Sequence, residues 1–264
     1  MKQHTPSDRG HIVVTGASAG IGAAIVKAFG GDGQRLTLVA RRRAPMEALA
    51  AEVATSGAAC QVIEADLGDL DQATAWVDAA EAAHGPIDVL VLNAGVQIVK
   101  SALGVSDAEA EAEMRVNLLA PQRLARKVVP QMVARGRGTV VIVSSMAAIT
   151  HTPGMADYSA TKAGVAAYFE TLRVELEGSG VNVVTVYPGP VDTDMARAAH
   201  DRLDGGFLTK SIPTGTPEGL GQLVRKAVAR RSARIVYPRV YGVTRYLRVA
   251  SQWATNRFAP KTKG

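Results

Sequence analysis

The stretch His11-Ile-Val-Val-Thr-Gly-Ala-Ser-Ala-Gly-Ile-Gly22 decides the fold of this chain. Its first five residues are mostly apolar and β-branched, which predicts a buried strand, and the glycines that follow allow a tight turn into a helix. Such a turn lets the backbone approach a pyrophosphate, whose charge the helix N-terminus stabilises. The spacing is Gly-x-x-x-Gly-x-Gly, so this motif alone leaves a nucleotide-binding turn and a purely structural turn both open.

Strands and helices alternate along the rest of the chain. Further strands are expected at 35–40, 60–64, 88–92, 139–143 and 181–187, and helices at 20–30, 45–56, 69–84, 106–135 and 156–177. The predicted strands are continuously apolar, so both faces of their sheet must be covered. This pattern predicts an α/β fold, a Rossmann-type doubly wound parallel sheet.

The same pattern predicts a single domain over residues 10–238, because no linker or low-complexity segment divides it. Residues 1–9 read as a flexible N-terminus, and residues 189–216, which interrupt the alternation, as a mobile flap inserted into the domain. Residues 239–264 read as a basic amphipathic C-terminal extension.

Charge is distributed unevenly along the 264 residues, whose net charge is +6. Glu218 is the last acidic residue; up to it the chain has 19 basic and 24 acidic side chains, a net charge of −5, and after it eleven Lys and Arg. The extension places Val240, Val243 and Leu247 at helical spacing. It is expected to dock on its own domain or on a partner subunit, with contact to an anionic membrane surface as the alternative. No nucleic-acid-binding motif accompanies the charge, so no nucleic acid is expected as a partner.

Several classes of protein are excluded by composition. The single Cys60 excludes a disulfide framework and a cysteine-ligated zinc site, and the five histidines lack the spacing of metal ligands, so no metal is expected. No apolar run reaches the roughly 18–20 residues of a membrane span, and residues 1–9 lack a signal peptide. We therefore expect a cytoplasmic protein, membrane-associated only if the extension binds lipid.

The first turn also matches the nucleophile elbow of serine hydrolases, as Gly16-Ala-Ser18-Ala-Gly20. An elbow needs an oxyanion-hole loop from an earlier strand, and only about ten residues precede this strand. A serine hydrolase that uses Ser18 is therefore a remote alternative.

Further motifs occur at the ends of the predicted strands and in the helices after them. In chain order they are Asp66-Leu67, Asn93-Ala-Gly95, Asn117, Ser144-Ser145, Tyr158-Ser-Ala-Thr-Lys162 and Pro188-Gly189-Pro-Val-Asp-Thr193. Together with the first turn they resemble the short-chain dehydrogenase/reductase family, continuously over about residues 10–195.

The chemistry of these side chains indicates a reaction. Tyr158 and Lys162 lie four residues apart, on one face of a helix, so the ammonium is expected to lower the pKa of the phenol and make Tyr158 a general acid–base. Ser145 would hydrogen-bond the substrate oxygen. The resemblance further implies that Lys162 binds the nicotinamide ribose and that Asn117 holds a water in a proton relay.

The resemblance also implies a cofactor site and its residues. The cofactor contacts it assigns are Gly16, Ser18, Gly20, Ile21, Gly22, Asp66, Leu67, Asn93, Ala94, Gly95, Tyr158, Lys162, Pro188, Gly189, Val191 and Thr193. After the second strand the chain has Arg41 and Arg42 where an NAD-binding site commonly has an acid, and guanidinium groups suit a 2′-phosphate. NADP(H) is therefore the expected cofactor.

We expect an NADP(H)-dependent oxidoreductase that acts on a hydrophobic carbonyl or secondary alcohol, because the residues beside the catalytic group are mostly apolar. Val96 and Met146 are predicted to bind the substrate together with Ser145 and Tyr158. A nucleotide-binding regulatory or interaction protein on the same fold, without redox turnover, is the alternative. A homo-oligomer, either a dimer or a tetramer, is also expected.

Overall fold

The computed structural model describes residues 10–31, 33–202, 213–242 and 252. The predicted N-terminus at 1–9, the middle of the predicted flap and all of the extension beyond Gly242 except Gln252 lie outside these residues.

Seven parallel strands form one sheet, in the order β3-β2-β1-β4-β5-β6-β7. The strands are β1 (His11–Thr15), β2 (Arg35–Ala40), β3 (Ala59–Glu64), β4 (Val89–Leu92), β5 (Gly138–Val143), β6 (Val181–Pro188) and β7 (Arg234–Tyr237). The helices are α1 (Gly20–Phe29), α2 (Arg43–Ala54), α3 (Val77–His84), α4 (Asp107–Met114), α5 (Ala120–Ala134), α6 (Ala156–Glu175), α7 (Asp194–Arg202) and α8 (Pro217–Ala229), with a π-helical turn at Arg115–Leu119. The predicted α/β fold with a doubly wound parallel sheet is confirmed.

The order of the strands reverses at β1, which pairs with β2 on one side and with β4 on the other. In open parallel sheets of this kind, ligands bind in the crevice at the carboxyl ends of the strands beside this switch point. The carboxyl ends of β1 and β4 are Thr15 and Leu92, so the glycine turn and Asn93 come directly after them at the crevice.

Two apolar layers cover the two faces of the sheet. Ile12 and Val14 of β1 belong to one layer, and Val13, between them, belongs to the other, as expected for side chains that alternate along a strand. All three are fully buried. Burial of an aliphatic side chain of this size contributes about 1.5–3 kcal/mol to the stability of the fold. Packing on both faces therefore fixes β1, whose carboxyl end carries the glycine turn.

The structure differs from the sequence prediction at two helices. The helix expected from residue 69 begins only at Val77, because the Asp69 carboxylate accepts hydrogen bonds from the backbone of Asp71 and Gln72 and stabilises a turn there. The single helix expected over 106–135 is instead α4, the π-helical turn and α5.

Three elements were not predicted. The stretch predicted as a flap contains α7, and its two ends pair at a bridge between Val191 and Gly215. After it come α8 and the edge strand β7. Between the predicted flap and Tyr237, the chain therefore forms a helix and a strand where none was predicted.

Candidate active site

The glycine turn after β1 is packed so tightly that its glycine positions have no room for a side chain. Gly16 and Gly20 have φ of 68° and 55°, a region that favours glycine. A Cβ on Gly22 would lie 2.2 Å from the Gly16 carbonyl oxygen, so α1 can begin here only with glycine. Glycine at these positions therefore lets the turn close against Asn93 and Ala94 and lead directly into the N-terminus of α1, where backbone N–H groups can bind a phosphate group.

The Asn93-Ala-Gly95 turn is fastened to the glycine turn. Asn93 Nδ2 donates to the carbonyl oxygens of Thr15 (3.0 Å) and Gly16 (3.3 Å). In return, Thr15 Oγ1 accepts hydrogen bonds from the backbone N–H groups of Asn93 (3.1 Å) and Ala94 (3.2 Å). These bonds hold the carboxyl ends of β1 and β4 in a fixed relation.

The segment after β6 reaches the same place. A Cβ on Gly20 would lie 3.2 Å from Thr193 Cγ2, so Thr193 is beside the glycine turn. Val191 is buried in the core, and Gly189 donates its N–H to the Tyr237 carbonyl oxygen at 2.7 Å. Pro188 is the last residue of β6, which pairs with β7.

Of the two residues predicted after β3, Leu67 lies at the crevice and Asp66 lies on the surface. Leu67 lines a small pocket together with Thr15, Ala94 and Val116, at the crevice. Asp66 is exposed, and its Oδ1 accepts a hydrogen bond from the Gly68 N–H (2.9 Å) in a local turn.

Basic side chains border the glycine turn on the β2 side. Arg41 and Arg42 are exposed, and Arg42 donates from Nε and Nη2 to Ser18 Oγ at 3.3 and 3.1 Å. Ser18 thus binds a guanidinium group, which cannot act as a general base. A hydrolase would also need a histidine near Ser18, but His84 packs against His11 at the start of β1, and the ring of His151 binds the Ala147 carbonyl oxygen. Within the described parts of the chain, no base is placed to activate Ser18.

The structure brings Ser145, Tyr158 and Lys162 together at the carboxyl end of β5. Ser144 Oγ donates to the Lys162 carbonyl oxygen (2.8 Å), which fixes α6 against the strand end. Ser145 lies close enough to Tyr158 to lower the pKa of the phenol, and Lys162 Nζ lies 5.7 Å from the centroid of the Tyr158 ring. Ser145 Oγ also accepts the N–H of Ala147 (3.1 Å).

The expected effect of Lys162 on Tyr158 is not what the structure shows. Burial of the phenol raises the pKa of Tyr158 to about 12, while the neighbouring Ser145 hydroxyl lowers it and the negative charge of Glu113 raises it further. Lys162 itself is buried, donates to the Val143 carbonyl oxygen (3.0 Å), and has its pKa lowered by burial to about 8. The prediction of an acidified phenol is therefore wrong for the chain's own groups, because it left out desolvation.

Asn117 lies on the π-helical turn and is buried. Its Oδ1 accepts the N–H of Val96 (2.9 Å), and its Nδ2 donates to the Val96 carbonyl oxygen (2.9 Å) and to Thr161 Oγ1 (3.1 Å). A Cβ on Gly95 would lie 3.1 Å from Asn117 Oδ1 and 3.3 Å from Lys162 Nζ, so these two polar groups converge on Gly95.

The two residues predicted only for the substrate side differ in exposure. Val96 is half-buried and is held at both backbone groups by Asn117. Met146 is 6% exposed and packs with Ala166 and Tyr187 in a small cluster of its own. Met146 thus packs mainly beneath the site, and its contact with a substrate stays a prediction.

Sequence reasoning missed two residues near the site. Glu113 is fully buried one helical turn before Asn117, and only its spacing from Asn117 signals it. Gln252, from the extension, accepts the His151 N–H (2.8 Å) and donates to the His151 carbonyl oxygen (3.2 Å). At this residue the extension contacts its own domain, in the loop between Ser145 and Tyr158.

Metal clusters and membrane spans are both absent from the described residues. Across residues 10–31, 33–202, 213–242 and 252, no three His, Cys, Asp or Glu side chains are grouped to hold a metal ion. No helix in this part of the chain is long and apolar enough to cross a membrane.

Comparison with known proteins agrees with this geometry. The chain is 38% identical over 189 residues to the glycine betaine reductase ATRR of Emericella nidulans, a match covering 72% of this chain but only 15% of that protein. It is 31% identical over 229 residues to the ketoacyl reductase HetN of Nostoc, covering 85% of this chain and 77% of that one. A short-chain dehydrogenase from Sphingobium yanoikuyae in complex with NADPH superposes with a TM-score of 0.79 at 28% identity, covering 97% and 98% of the two chains.

The model of the short chain dehydrogenase family matches residues 10–204, which include the glycine turn and all of the Ser145, Tyr158 and Lys162 group. The chain therefore belongs to the short-chain dehydrogenase family.

Proposed function

We propose that this protein is an NADP(H)-dependent oxidoreductase that interconverts a hydrophobic carbonyl compound and its secondary alcohol, with Tyr158 as general acid–base. The observation that carries the proposal is the meeting of Ser145, Tyr158 and Lys162 at the carboxyl edge of the sheet, beside the glycine turn. A protein that only bound nucleotide would not need this group.

The residues around the crevice fit a dinucleotide. The glycine turn leads into the N-terminus of α1, whose backbone N–H groups suit a pyrophosphate. Arg42 at Ser18, with Arg41 beside it and no acid at the end of β2, suits a 2′-phosphate. The NADPH complex of the Sphingobium relative supports the same cofactor.

When bound, the nicotinamide supplies the hydride, and the chain supplies position and a proton. Ser145 Oγ would donate to the substrate oxygen, where negative charge develops as the carbonyl carbon accepts the hydride. Tyr158 would then transfer its hydroxyl proton to that oxygen. With a pKa of about 12 the phenol is fully protonated at neutral pH, which is the form that donates a proton when a carbonyl is reduced.

Lys162 would act on this proton transfer through its charge. Its pKa of about 8 leaves the ammonium mostly protonated at neutral pH, so it would stabilise the phenolate that Tyr158 becomes. Asn117 would hold the Val96 loop and, as the relay residue of the family pattern, a water behind Lys162.

A kinetic comparison of two tyrosine variants tests this function. NADPH absorbance is followed with a panel of apolar ketones and aldehydes for the wild type, Tyr158→Phe and Tyr168→Phe. Tyr168 lies on the same helix and packs against Phe169, away from the catalytic group, so it is the matched control. Loss of general acid catalysis should lower turnover about 10²- to 10⁴-fold in Tyr158→Phe alone.

NADPH binding, measured by fluorescence, separates the alternatives. Nearly unchanged binding in Tyr158→Phe together with lost turnover supports the proposal. Equal turnover in the wild type and in Tyr158→Phe would end the assignment of Tyr158. Binding of NADPH without turnover of any carbonyl would favour the nucleotide-binding regulatory protein instead.

A further inference from the structure

Glu113 is a buried acid that the proposed reaction does not use. Its side chain is fully buried, and Oε1 accepts a hydrogen bond from the Ile98 N–H at 3.0 Å. In the described part of the chain no group hydrogen-bonds to the other oxygen, Oε2. A buried carboxyl with one oxygen unsatisfied is costly, so a structural role alone does not account for it.

Glu113 and Asn117 act on the same loop. They lie four residues apart, and their side chains bind the backbone at Ile98 and at Val96 respectively. The loop they hold begins at Gly95, where Asn117 Oδ1 and Lys162 Nζ converge. Glu113 thus holds the loop that begins beside Lys162, and its charge acts on Lys162.

The charged groups that face Glu113 come mainly from α6. They are Asp157, which raises the pKa of Glu113, and Lys162, which lowers it, while Tyr158 has its own pKa raised by Glu113. On α4 the nearest acid along the helix face is Glu109, which is bound to Lys100 of the preceding loop. Glu109 is thus neutralised by Lys100 in an exposed ion pair. Among the acids of α4, Glu113 is the one whose charge acts on Tyr158 and Lys162.

We propose that Glu113 is a positioning residue whose buried carboxyl controls the protonation of the Tyr158–Lys162 pair from behind. The inference rests on the proposed function of that pair. The negative charge of the carboxylate stabilises the protonated forms of both groups, so it raises the pKa of Tyr158 and that of Lys162. Because Glu113 raises the pKa of both groups, each of them loses its proton at a higher pH whenever Glu113 is ionised.

The pH at which Glu113 ionises determines when this effect operates. Burial raises its pKa to about 7, so the carboxyl is neutral in acid and charged in base. Glu113 therefore leaves the pair unaffected below about pH 6 and opposes its deprotonation above about pH 8. Oxidation of an alcohol, which needs the deprotonated phenol, is the direction that should be held back.

The test is the pH profile of kcat/KM for oxidation of a secondary alcohol by NADP, in the wild type and in Glu113→Gln. Gln keeps an acceptor for the Ile98 N–H and removes the charge. Above pH 8 the variant should be about three- to tenfold faster than the wild type, and below pH 6 the two should be equal. Equal profiles, or a ratio that is the same at every pH, would overturn the inference.

Two further variants separate charge from structure. Glu111→Gln makes the same substitution on the same helix at an exposed residue paired with Arg115, and its profile should match that of the wild type. Glu113→Asp keeps a carboxylate but shortens the reach to Ile98. It should retain the profile of the wild type, whereas a Glu113 that acted only through its hydrogen bond would lose it.

A measurement that needs no turnover distinguishes failure of this inference from failure of the proposed function. The infrared band of the protonated carboxyl, taken as wild type minus Glu113→Gln, should vanish as pH rises through about 7. Since Lys162 lowers the pKa of Glu113, this titration should move to higher pH in Lys162→Met. If no carbonyl or alcohol is turned over, the proposed function fails. An unmoved band in Lys162→Met refutes the coupling in either case.

Discussion

His11, at the start of β1, offers a sharp test of how burial governs ionisation in this fold. The residue is fully buried, with Nδ1 2.7 Å from the Gly85 carbonyl oxygen and Nε2 2.9 Å from Thr37 Oγ1. A carbonyl oxygen can only accept, so Nδ1 carries the hydrogen of the neutral ring. Protonation would add a hydrogen on Nε2 and place a charge in the core.

The pKa of His11 falls from 6.5 to about 4, chiefly by burial, with Arg35 and His84 adding to the effect. The unfolded chain takes up the proton as pH falls below 6.5, while the folded chain resists it until about pH 4. The corresponding contribution to the free energy of unfolding is about 3 kcal/mol, complete above pH 6.5 and lost as pH falls towards 4.

Glu113 titrates in the opposite sense over nearly the same range. Its pKa rises from 4.5 to about 7, so its contribution to stability is complete below pH 4.5 and is lost as pH rises through 7, again by about 3 kcal/mol. The two effects nearly cancel in the wild type between pH 4.5 and 6.5. Each becomes visible when the other residue is replaced.

The assay is urea denaturation, followed by far-UV circular dichroism, at pH 4.5, 5.5, 6.5 and 7.5. The variants are His11→Asn, in which the amide can still donate to Gly85, and Glu113→Gln. Relative to the wild type, His11→Asn should lose less stability on acidification and Glu113→Gln less on going to neutral pH. A free-energy difference from the wild type that stays constant with pH, for either variant, would refute the reasoning.

Three further outcomes are expected. Gly22→Ala should abolish NADPH binding measured by fluorescence, since its Cβ would lie 2.2 Å from the Gly16 carbonyl oxygen; unchanged affinity would contradict the packing of the turn. Arg41→Asp should shift the ratio of kcat/KM for NADPH over NADH by tenfold or more towards NADH, and an unchanged ratio would remove the 2′-phosphate assignment. Gln252→Ala should increase amide hydrogen exchange at His151, and identical exchange would mean that the extension does not hold this loop.

The fold was predictable from sequence because its decisive signals are local. β1 is a short apolar run bounded by glycine, and its neighbours repeat the pattern, so six strands were found at or near their bounds. The edge strand β7 has four residues with an arginine at its start, too few for periodicity to detect. Helix α8 was missed although Thr216 caps it and Pro217 occupies its first position, a recognisable start signal.

That the candidate catalytic side chains lie together was predictable from the sequence, whereas the direction of the pKa shift on Tyr158 was not. A spacing of four residues places Tyr158 and Lys162 on one helix face, which sequence alone can give. The direction of the pKa shift on Tyr158 depends on how much protein surrounds the phenol and on Glu113, which comes from another helix. Desolvation is a property of the packed fold, so sequence reasoning that considered only the nearest charge gave the wrong sign.

The π-helical turn explains why Glu113 in particular was overlooked. A continuous helix over 106–135 would keep one face towards the sheet throughout. The extra residue in a π turn rotates the later residues of the helix by about 100°. Before and at this turn, Glu113 and Asn117 face the loop at Val96–Ile98. After it, Leu124 and Val128 face the apolar layer on the sheet. Residues 106–135 thus provide polar groups to the loop at Val96–Ile98 and apolar groups to the core. A prediction that assumes one continuous helix expects the same face to be buried throughout, so it does not single out Glu113.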